Sequence, residues 1–241
     1  MHEFFVPKDR VKRNIAIIDK DDFHHLVNVL RAKEGDKVLV VVDRGEKYIS
    51  RIIEIKDKVA KLIFEERVAD SCEPKVNIIF AQAIPKGKKF ESILKTGTEL
   101  GVRSFYPLIT ERTEFIFKNE KLVRFKKIVK EEAQVSKRDR IPEVYAPIKF
   151  EEFLNLNFKT KNKFIFWELE EEKSVYDIEI NECEDIVLIV GNEGGFSLKE
   201  IEMAKKKDFI PLTLGKRILR AEIAPIVILT LFLFKLREFK K

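Results

Sequence analysis

The stretch that decides the fold runs from Ile186 to Ile201 and reads IVLIVGNEGGFSLKEI. Its apolar first part predicts a buried strand, and the glycine-rich segment Gly191–Gly195 follows directly. Ser197 and Glu200 then form a capping-box pattern, which predicts the start of a helix. A strand, a glycine loop and a capped helix in this order predict an α/β unit with a ligand at the end of the strand.

The glycine-rich segment does not by itself identify the ligand. It lacks the G-x-G-x-x-G spacing of dinucleotide-binding loops and the Lys-Ser/Thr pair of a P-loop. A nucleotide-type ligand is compatible with the pattern. A tight turn built on left-handed glycines explains the loop about as well.

A second loop of the same kind, Leu214–Glu222, reads LGKRILRAE and lies between a predicted strand at 209–214 and a predicted helix at 220–236. Two such loops separated by one helix can face the same pocket. Arg217 and Arg220 could hold a phosphate or carboxylate, and Glu222 could hold a cation or a proton. Ion pairing at the protein surface explains these three charges almost as well.

Strands and helices alternate through the rest of the second half of the chain. Predicted strands cover 76–84, 102–109, 141–144 and 164–167, and predicted helices cover 88–101 and 122–135. This alternation predicts an α/β fold with a mostly parallel sheet, and the ligand site is expected at the carboxyl ends of its strands.

The first seventy residues have a different pattern. Two short apolar runs, a helix expected to be capped by Asp21 or Asp22, and three β-rich runs at 37–43, 48–55 and 59–68 predict a small β-barrel. Residues 69–75 break both periodicities and are the predicted linker. We therefore expect one domain over residues 1–70 and a second over residues 71–241.

Charge is distributed unevenly along the 241 residues, whose formal net charge is +6. Residues 86–140 contain 15 Lys and Arg against 8 Asp and Glu, whereas 168–185 contain nine acids and one base. A localised basic region favours a polyanionic partner such as nucleic acid, although a solvated helix face at 121–130 is an alternative.

Several classes of protein are disfavoured. The longest apolar run, 223–234, has 12 residues, whereas a transmembrane helix needs about 20. The N-terminus has no secretory signal pattern. Cys72 and Cys183 are far apart in the sequence, so neither a disulfide framework nor a metal site is expected. We expect a cytoplasmic protein that does not bind a membrane or a metal.

An ordered set of motifs covers nearly the whole chain. Together these motifs resemble the 16S rRNA uridine N3-methyltransferases of the SPOUT class. In chain order they are His25-Leu-x-x-Val-Leu-Arg31 with Gly35-Asp36, Glu99-Leu-Gly-Val102, Glu111-Arg112, Ser136-x-Arg138, Gly191–Gly195 and Leu214–Glu222.

The resemblance implies a C-terminal SPOUT trefoil-knot domain that binds S-adenosylmethionine, preceded by a PUA-like barrel. It also implies homodimerisation through the knot domains, to which 223–234 could contribute, although an ordinary core helix there is an equal alternative. The cofactor-binding residues implied by the resemblance or bordering its loops are Trp167, Glu168, Val190, Gly191, Asn192, Glu193, Gly194, Gly195, Leu214, Gly215, Ile218, Leu219, Arg220 and Ala224. A core position for Trp167 is the alternative to a cofactor contact.

The implied partner is 16S rRNA or the small ribosomal subunit. Uracil N3 carries a proton at neutral pH, so methylation needs a base or a group that stabilises the developing anion. We expect Arg220 to stabilise that anion, with Glu222 as its partner or as proton acceptor. The predicted RNA-binding residues are Arg31, Lys33, Lys86, Lys88, Arg112, Arg138 and Arg140.

The sequence departs from the family pattern in four places. Asn192 stands where proline is usual, Ala221 and Ile223 replace frequent threonine or threonine-like residues, and Val135 stands where glutamine is common. Three other functions remain open. They are a catalytically inactive ribosome-binding factor, a nucleotide-dependent enzyme of ordinary topology, and a SPOUT RNA methyltransferase with a different target nucleotide.

Overall fold

The computed structural model describes residues 1–42, 45–69, 71–114 and 119–239. These residues form two compact units. Unit 1 contains residues 1–73 and 133–141, and unit 2 contains residues 74–132 and 142–241. Sequence analysis did not anticipate that residues 133–141 belong to unit 1. Asp43, at the end of a predicted strand, and Asp70, in the predicted linker, lie outside the described residues.

Unit 1 contains a curled six-stranded sheet of order β1-β4-β5-β6-β3-β2. The strands are β1 (Glu3–Val6), β2 (Val11–Lys12), β3 (Ile15–Ile18), β4 (Lys37–Val42), β5 (Glu46–Lys56) and β6 (Val59–Val68). β1 pairs with β4 in parallel, and the other pairings are antiparallel. Alternate side chains of these strands point to one face and form an apolar core. The three predicted β-rich runs are therefore adjacent antiparallel strands, as expected.

Helix α1 (Lys20–His24) of unit 1 begins earlier than expected. Its N-cap is Asp19, without a side-chain capping bond, so the prediction that Asp21 or Asp22 caps it is wrong. Both of these acids lie in the first turn, where their negative charge interacts favourably with the positive end of the helix dipole. A π-helical turn, His25–Val29, follows and buries Leu26 in the core.

A buried ion cluster holds residues 133–141 within unit 1. The Lys47 ammonium lies 2.6 Å from Asp139 Oδ1 and 3.0 Å from Glu3 Oε2, and it donates a hydrogen bond to the Lys137 carbonyl oxygen at 2.9 Å. Burial raises the pKa of Glu3 to about 7, because desolvation of its carboxylate outweighs the attraction of Lys47. One ammonium therefore forms ion pairs with carboxylates from two distant parts of the chain.

Arg138, one of the predicted RNA-binding residues, lies in the same part of unit 1. Arg138 is only 3% exposed, and its guanidinium forms an ion pair with the Glu73 carboxylate. A guanidinium buried against a carboxylate is not available to RNA phosphates, so this prediction is corrected.

Unit 2 contains a parallel sheet of order β10-β8-β7-β12-β11-β13, and β9 also pairs with β8. The mostly parallel sheet predicted from the alternating pattern is confirmed. The strands are β7 (Ile78–Ala83), β8 (Val102–Ile109), β9 (Glu143–Val144), β10 (Ile148–Lys149), β11 (Asn162–Phe166), β12 (Ile186–Val190) and β13 (Ile210–Leu212). The helices are α2 (Lys89–Glu99), α3 (Asn119–Val135), α4 (Phe150–Leu154), α5 (Leu198–Lys205) and α6 (Ala224–Lys235). Helix α3 ends in the segment that belongs to unit 1.

Helix α6 begins four residues later than predicted, at Ala224. Pro225 occupies its first turn, because a proline further inside a helix would remove a backbone hydrogen bond and clash with the preceding turn. The residues before it form a turn in which the Ile223 and Ala224 amides donate to the Arg220 carbonyl oxygen at 2.8 and 3.0 Å. Arg220 and Glu222 therefore lie on a turn before the helix. None of the described helices is long and apolar enough to cross a bilayer.

Candidate active site

The glycine loop begins where the fully buried strand β12 ends. Beneath it, the 1% exposed Gln82 side chain donates from Nε2 to the Gly191 carbonyl oxygen at 2.8 Å. Asn192 Oδ1 accepts a hydrogen bond from the Gly194 amide at 2.9 Å, and its Nδ2 donates to the Arg112 carbonyl oxygen at 3.2 Å. Asn192 thus orders the loop through its side chain.

Gly195 needs to be a glycine for two reasons. Its φ of +65° is a conformation that L-residues rarely adopt. A Cβ at this position would also lie 2.1 Å from Glu168 Oε1. The backbone of the loop therefore approaches the Glu168 carboxylate more closely than any side chain would allow.

The predicted capping box at the start of α5 is present. Ser197 Oγ accepts from the Glu200 amide at 3.3 Å, and Glu200 Oε2 accepts from the Ser197 amide at 2.9 Å. The other carboxylate oxygen of Glu200 accepts from the Glu111 amide at 2.9 Å. Next to Glu111, Arg112 donates from Nη1 to the Gly194 carbonyl oxygen. The Glu111-Arg112 motif therefore forms hydrogen bonds with both the glycine loop, at Gly194, and the first turn of α5, at Glu200.

The second loop follows β13, whose neighbour in the sheet is β11. Gly215 has a φ of +89°, and its amide donates to Thr213 Oγ1 at 3.1 Å. Leu214 and Leu219 are half-buried, Arg220 is exposed, and Ile218 is 93% exposed. Ala224, the first residue of α6, is half-buried. This loop therefore presents a mixed apolar and cationic surface.

Lys89, at the start of α2, links the two loops. Its Nζ lies 2.7 Å from Glu193 Oε1 in the glycine loop and 3.7 Å from Glu222 Oε2 in the second loop. Burial alone would raise the pKa of Glu193, but its hydrogen bonds with Lys89 and backbone amides dominate and lower it. The hydrogen bond to Glu193 raises the pKa of Lys89. The cluster thus holds a fixed cation between two carboxylates.

Glu222 does not have the partner that sequence analysis offered for it. Among the described residues, the cation within 4 Å of its carboxylate is Lys89 rather than Arg220, so the pairing with Arg220 is wrong. Its side chain is 24% exposed, yet Oε2 is buried and has no hydrogen-bond partner in the described part of the chain. The Glu222 carboxylate therefore lies beside the Lys89 ammonium, which also contacts the glycine loop.

Trp167 and Glu168 follow β11, which lies between β12 and β13. Trp167 is half-buried, and its indole N–H has no hydrogen-bond partner among the described residues. Val190 is the buried last residue of β12. Because parallel strands end at the same edge, the segments after β11, β12 and β13 meet there, and they carry the predicted cofactor-binding residues.

Comparison with known protein families identifies both parts of the chain. A profile of an RNA methyltransferase domain matches residues 72–233, and a profile of an RNA methyltransferase PUA domain matches residues 18–65. The chain belongs to the RNA methyltransferase family. The family resemblance found from the motifs is confirmed, together with the PUA-type character of unit 1.

Relatives within this family have a common name. Ribosomal RNA small subunit methyltransferase E of Synechocystis sp. is 37% identical over 95% of this chain and 76% of its own. The protein of that name from Mesomycoplasma hyopneumoniae is 32% identical over 95% of this chain and 98% of its own.

Two solved structures of methyltransferases match both units. Ribosomal RNA small subunit methyltransferase E from Neisseria gonorrhoeae, bound to S-adenosylmethionine, matches with a TM-score of 0.89 and 27% identity, covering 97% of each chain. A methyltransferase from Legionella pneumophila, also bound to S-adenosylmethionine, matches with a TM-score of 0.86 and 28% identity, covering 96% of each chain.

The remaining predicted RNA-binding residues of this family member lie in both units. In unit 2, Lys86, Lys88 and Arg112 are exposed, and Lys86 Nζ lies 2.6 Å from Glu114 Oε2. In unit 1, Arg31 and Lys33 are exposed, and Arg140 is half-buried. None of the described groups of His, Cys, Asp and Glu is arranged to hold a metal ion.

Sequence analysis missed Lys89 and Gln82 in this site. Gln82 is the last but one residue of an apolar strand, and its polarity there was the signal that could have marked it. Lys89 belongs to the basic run that includes Lys86 and Lys88, so nothing distinguished it from a solvated lysine.

Proposed function

We propose that this protein transfers a methyl group from S-adenosylmethionine to N3 of one uridine in 16S rRNA, in the cytoplasm. Membership of the RNA methyltransferase family supports the reaction class, and the relatives named ribosomal RNA small subunit methyltransferase E support 16S rRNA as the substrate. The observation that carries the proposal is the meeting of two glycine-containing loops at Lys89, whose Nζ lies 2.7 Å from Glu193 Oε1 and 3.7 Å from Glu222 Oε2.

The residues of the two loops fit a small organic cofactor. The Trp167 indole N–H and Glu222 Oε2 lack hydrogen-bond partners among the described residues, and the Gly195 backbone closely approaches the Glu168 carboxylate. When bound, S-adenosylmethionine supplies an electrophilic methyl group on a cationic sulfur. We assign its binding to Trp167, Glu168, Val190, Gly191, Asn192, Glu193, Gly194, Gly195, Leu214, Gly215, Ile218, Leu219, Arg220 and Ala224.

The side chains of the protein must remove the N3 proton of the uridine and stabilise the uracil anion that forms. Glu222 accepts the proton on its carboxylate, which lies beside the Lys89 ammonium with Nζ 3.7 Å from Oε2. Arg220 is exposed at the turn before α6, where its guanidinium reaches an incoming base and stabilises the negative charge.

The target nitrogen lies on the Watson–Crick edge, so the uridine must be unpaired or turned out of its stack before it reacts. We assign backbone contacts with the RNA to Arg31, Lys33, Lys86, Lys88, Arg112 and Arg140, whose charges are suited to phosphates. Arg138 is left out because its guanidinium is buried against Glu73.

Nucleoside mass spectrometry tests this function directly. The protein is incubated with S-adenosylmethionine and either naked 16S rRNA or assembled small subunits that lack the modification. We expect N3-methyluridine in at least one of the two substrates. Methylation at another atom or another base would replace the uridine N3 assignment, and absence of any methylated nucleoside from both would overturn the enzyme assignment.

Replacing Gly195 by valine is expected to weaken S-adenosylmethionine binding about tenfold or more, because a β-branched residue is strained at positive φ and displaces the loop. Isothermal titration calorimetry measures the affinity. The matched control is Gly35→Val, since Gly35 in unit 1 has a φ of +95° and, apart from its chain neighbours, no described residue within 4 Å of its Cβ position. An equal loss of affinity in both variants would assign the effect to general destabilisation instead.

We also propose that two copies associate through unit 2 and that the chain in this unit is knotted, as the family resemblance implies. Helix α6 is apolar on all sides, and its Phe234 is 70% exposed. Replacing Phe234 by glutamate is expected to convert dimers to monomers in sedimentation velocity. Val123→Glu is the control, because Val123 on α3 is 73% exposed. A wild-type protein that sediments as a monomer would contradict the dimer.

A further inference from the structure

The described part of unit 1 carries an open cavity of about 480 Å³. Pockets of about 300–1,000 Å³ are typical of small-ligand sites. The described residues that line it come from segment 8–14, from the end of β4, and from β5 and β6, and they include Arg13, Tyr48, Phe64 and Arg67. Of these, none is among the residues predicted to bind RNA or the cofactor.

Two aromatic rings are stacked in this cavity. The Tyr48 and Phe64 centroids are 4.3 Å apart and their planes differ by 5°. Both side chains are half-buried, so one part of the stack packs on the core of unit 1 and another part faces the cavity. A stack of this kind offers a flat apolar surface to a further planar group.

A β-bulge positions the two rings. Along β5 and β6, Ile49 lies opposite Glu66 but Ser50 lies opposite Phe64, so Glu65 is an extra residue on β6. Such an insertion re-aims the side chains beside it. Tyr48 and Phe64 share one face of the sheet as a result, while Glu65 forms ion pairs with Lys37 and Arg51.

Cations surround the aromatic stack. Arg13 and Arg67 line the cavity, are exposed, and have no acidic group within ion-pair distance among the described residues. The described acids on the cavity wall are Glu46, Glu65 and Glu66. Glu65 is neutralised by its two basic partners, and the hydrogen bond from Arg51 is the main reason that its pKa is lowered. Among the described residues of the wall, Lys8, Arg13 and Arg67 equal these three acids in number, and the pairing of Glu65 with Lys37 and Arg51 leaves Arg13 and Arg67 as exposed cations of the cavity.

We propose that this cavity binds one nucleotide of unpaired RNA, with the base stacked on the Tyr48–Phe64 pair and the flanking phosphates held by Arg13 and Arg67. Aromatic platforms bordered by cations bind single strands because every base has a flat π-face and every linkage a negative charge. The identity of the polymer as RNA rests on the proposed function. The site would hold the substrate strand at a point separate from the reacting uridine.

Fluorescence anisotropy tests the proposal. It measures how tightly the full chain, without S-adenosylmethionine, binds a fluorescein-labelled oligouridylate of about six nucleotides. Phe64→Leu and Arg67→Glu are each expected to weaken binding about tenfold, the scale of one lost stacking or phosphate contact. Tyr48→Phe keeps the ring and is expected to bind like the wild type.

The matched control for charge is Lys56→Glu. Lys56 is exposed at the far end of β5, eight residues along the strand from Tyr48 or about 26 Å. Lys56→Glu changes the charge of unit 1 by the same amount as Arg67→Glu. It is expected to leave the affinity for the oligouridylate unchanged. Equal weakening by both variants would mean a general electrostatic effect and would overturn the proposed site.

Two other results would overturn the proposal. One is wild-type affinity in both Phe64→Leu and Arg67→Glu, and the other is equal competition by free uridine monophosphate, which would indicate a mononucleotide site. If Phe64→Leu unfolds, as melting curves would reveal, Arg67→Glu still decides, because its side chain is exposed. The assay does not involve methyl transfer, so failure of the proposed function leaves its outcome readable.

Discussion

Replacing Arg220 by alanine is expected to slow single-turnover methylation about 100-fold with saturating RNA and cofactor, the usual effect of removing a donor that stabilises a developing anion. Arg220 lies exposed on the turn that precedes α6, and its carbonyl oxygen accepts hydrogen bonds from the Ile223 and Ala224 amides. The guanidinium would neutralise the charge that appears on uracil when N3 loses its proton. Rapid-quench measurement with labelled cofactor gives the rate.

The control for Arg220→Ala is Arg217→Ala. Arg217 is exposed in the same loop, and its removal changes the charge of the loop equally. We expect Arg217→Ala to react at close to the wild-type rate, and Arg220→Lys to recover part of the loss because it retains the charge. Full single-turnover activity in Arg220→Ala would refute the role of this residue.

Replacing Glu222 by glutamine is also expected to slow methyl transfer about 100-fold at neutral pH, within the range for loss of a general base. The amide is close in shape to the carboxylate but cannot accept the N3 proton. The deficit should shrink as the pH rises, because the uracil N3 then ionises without help from the protein. A rate–pH profile of wild type and variant measures both effects.

Glu114→Gln is the control for this substitution. It also removes one carboxylate with a lysine partner, since Glu114 Oε2 lies 2.6 Å from Lys86 Nζ, but Glu114 belongs to neither loop. Its rate is expected to match that of the wild type at each pH. A Glu222→Gln protein whose deficit is the same at every pH would indicate that Glu222 positions groups without accepting a proton.

Local signals explain which parts of the fold could be predicted. The strand β12 has the predicted bounds because five apolar residues stand between a polar segment and glycines. The capping box of Ser197 and Glu200 is formed by residues three apart, so its geometry follows from the sequence alone. Strand β8 was equally clear because Gly101 ends the preceding helix with a φ of +84°.

Contacts between distant residues explain what could not be predicted. Lys89 meets Glu193 and Glu222 only because the sheet order brings three separate segments together. Arg138 belonged to a basic run in the sequence, yet its partner Glu73 is 65 residues away. Spacing along the chain carries no information about such pairs, so a buried ion pair and a surface cation look alike in a sequence.

Residues 133–141 influence how this protein can be recombined with others. A single crossover near residue 73 would separate Lys47 from Asp139, which lie 2.6 Å apart in the buried cluster. Loss of one partner from a buried ion pair lowers the free energy of unfolding by about 3–5 kcal/mol, which is much of the stability of a small domain. Transfer of unit 1 to another protein therefore needs two crossovers or a compensating change at Lys47. The two units are expected to share one evolutionary history for this reason.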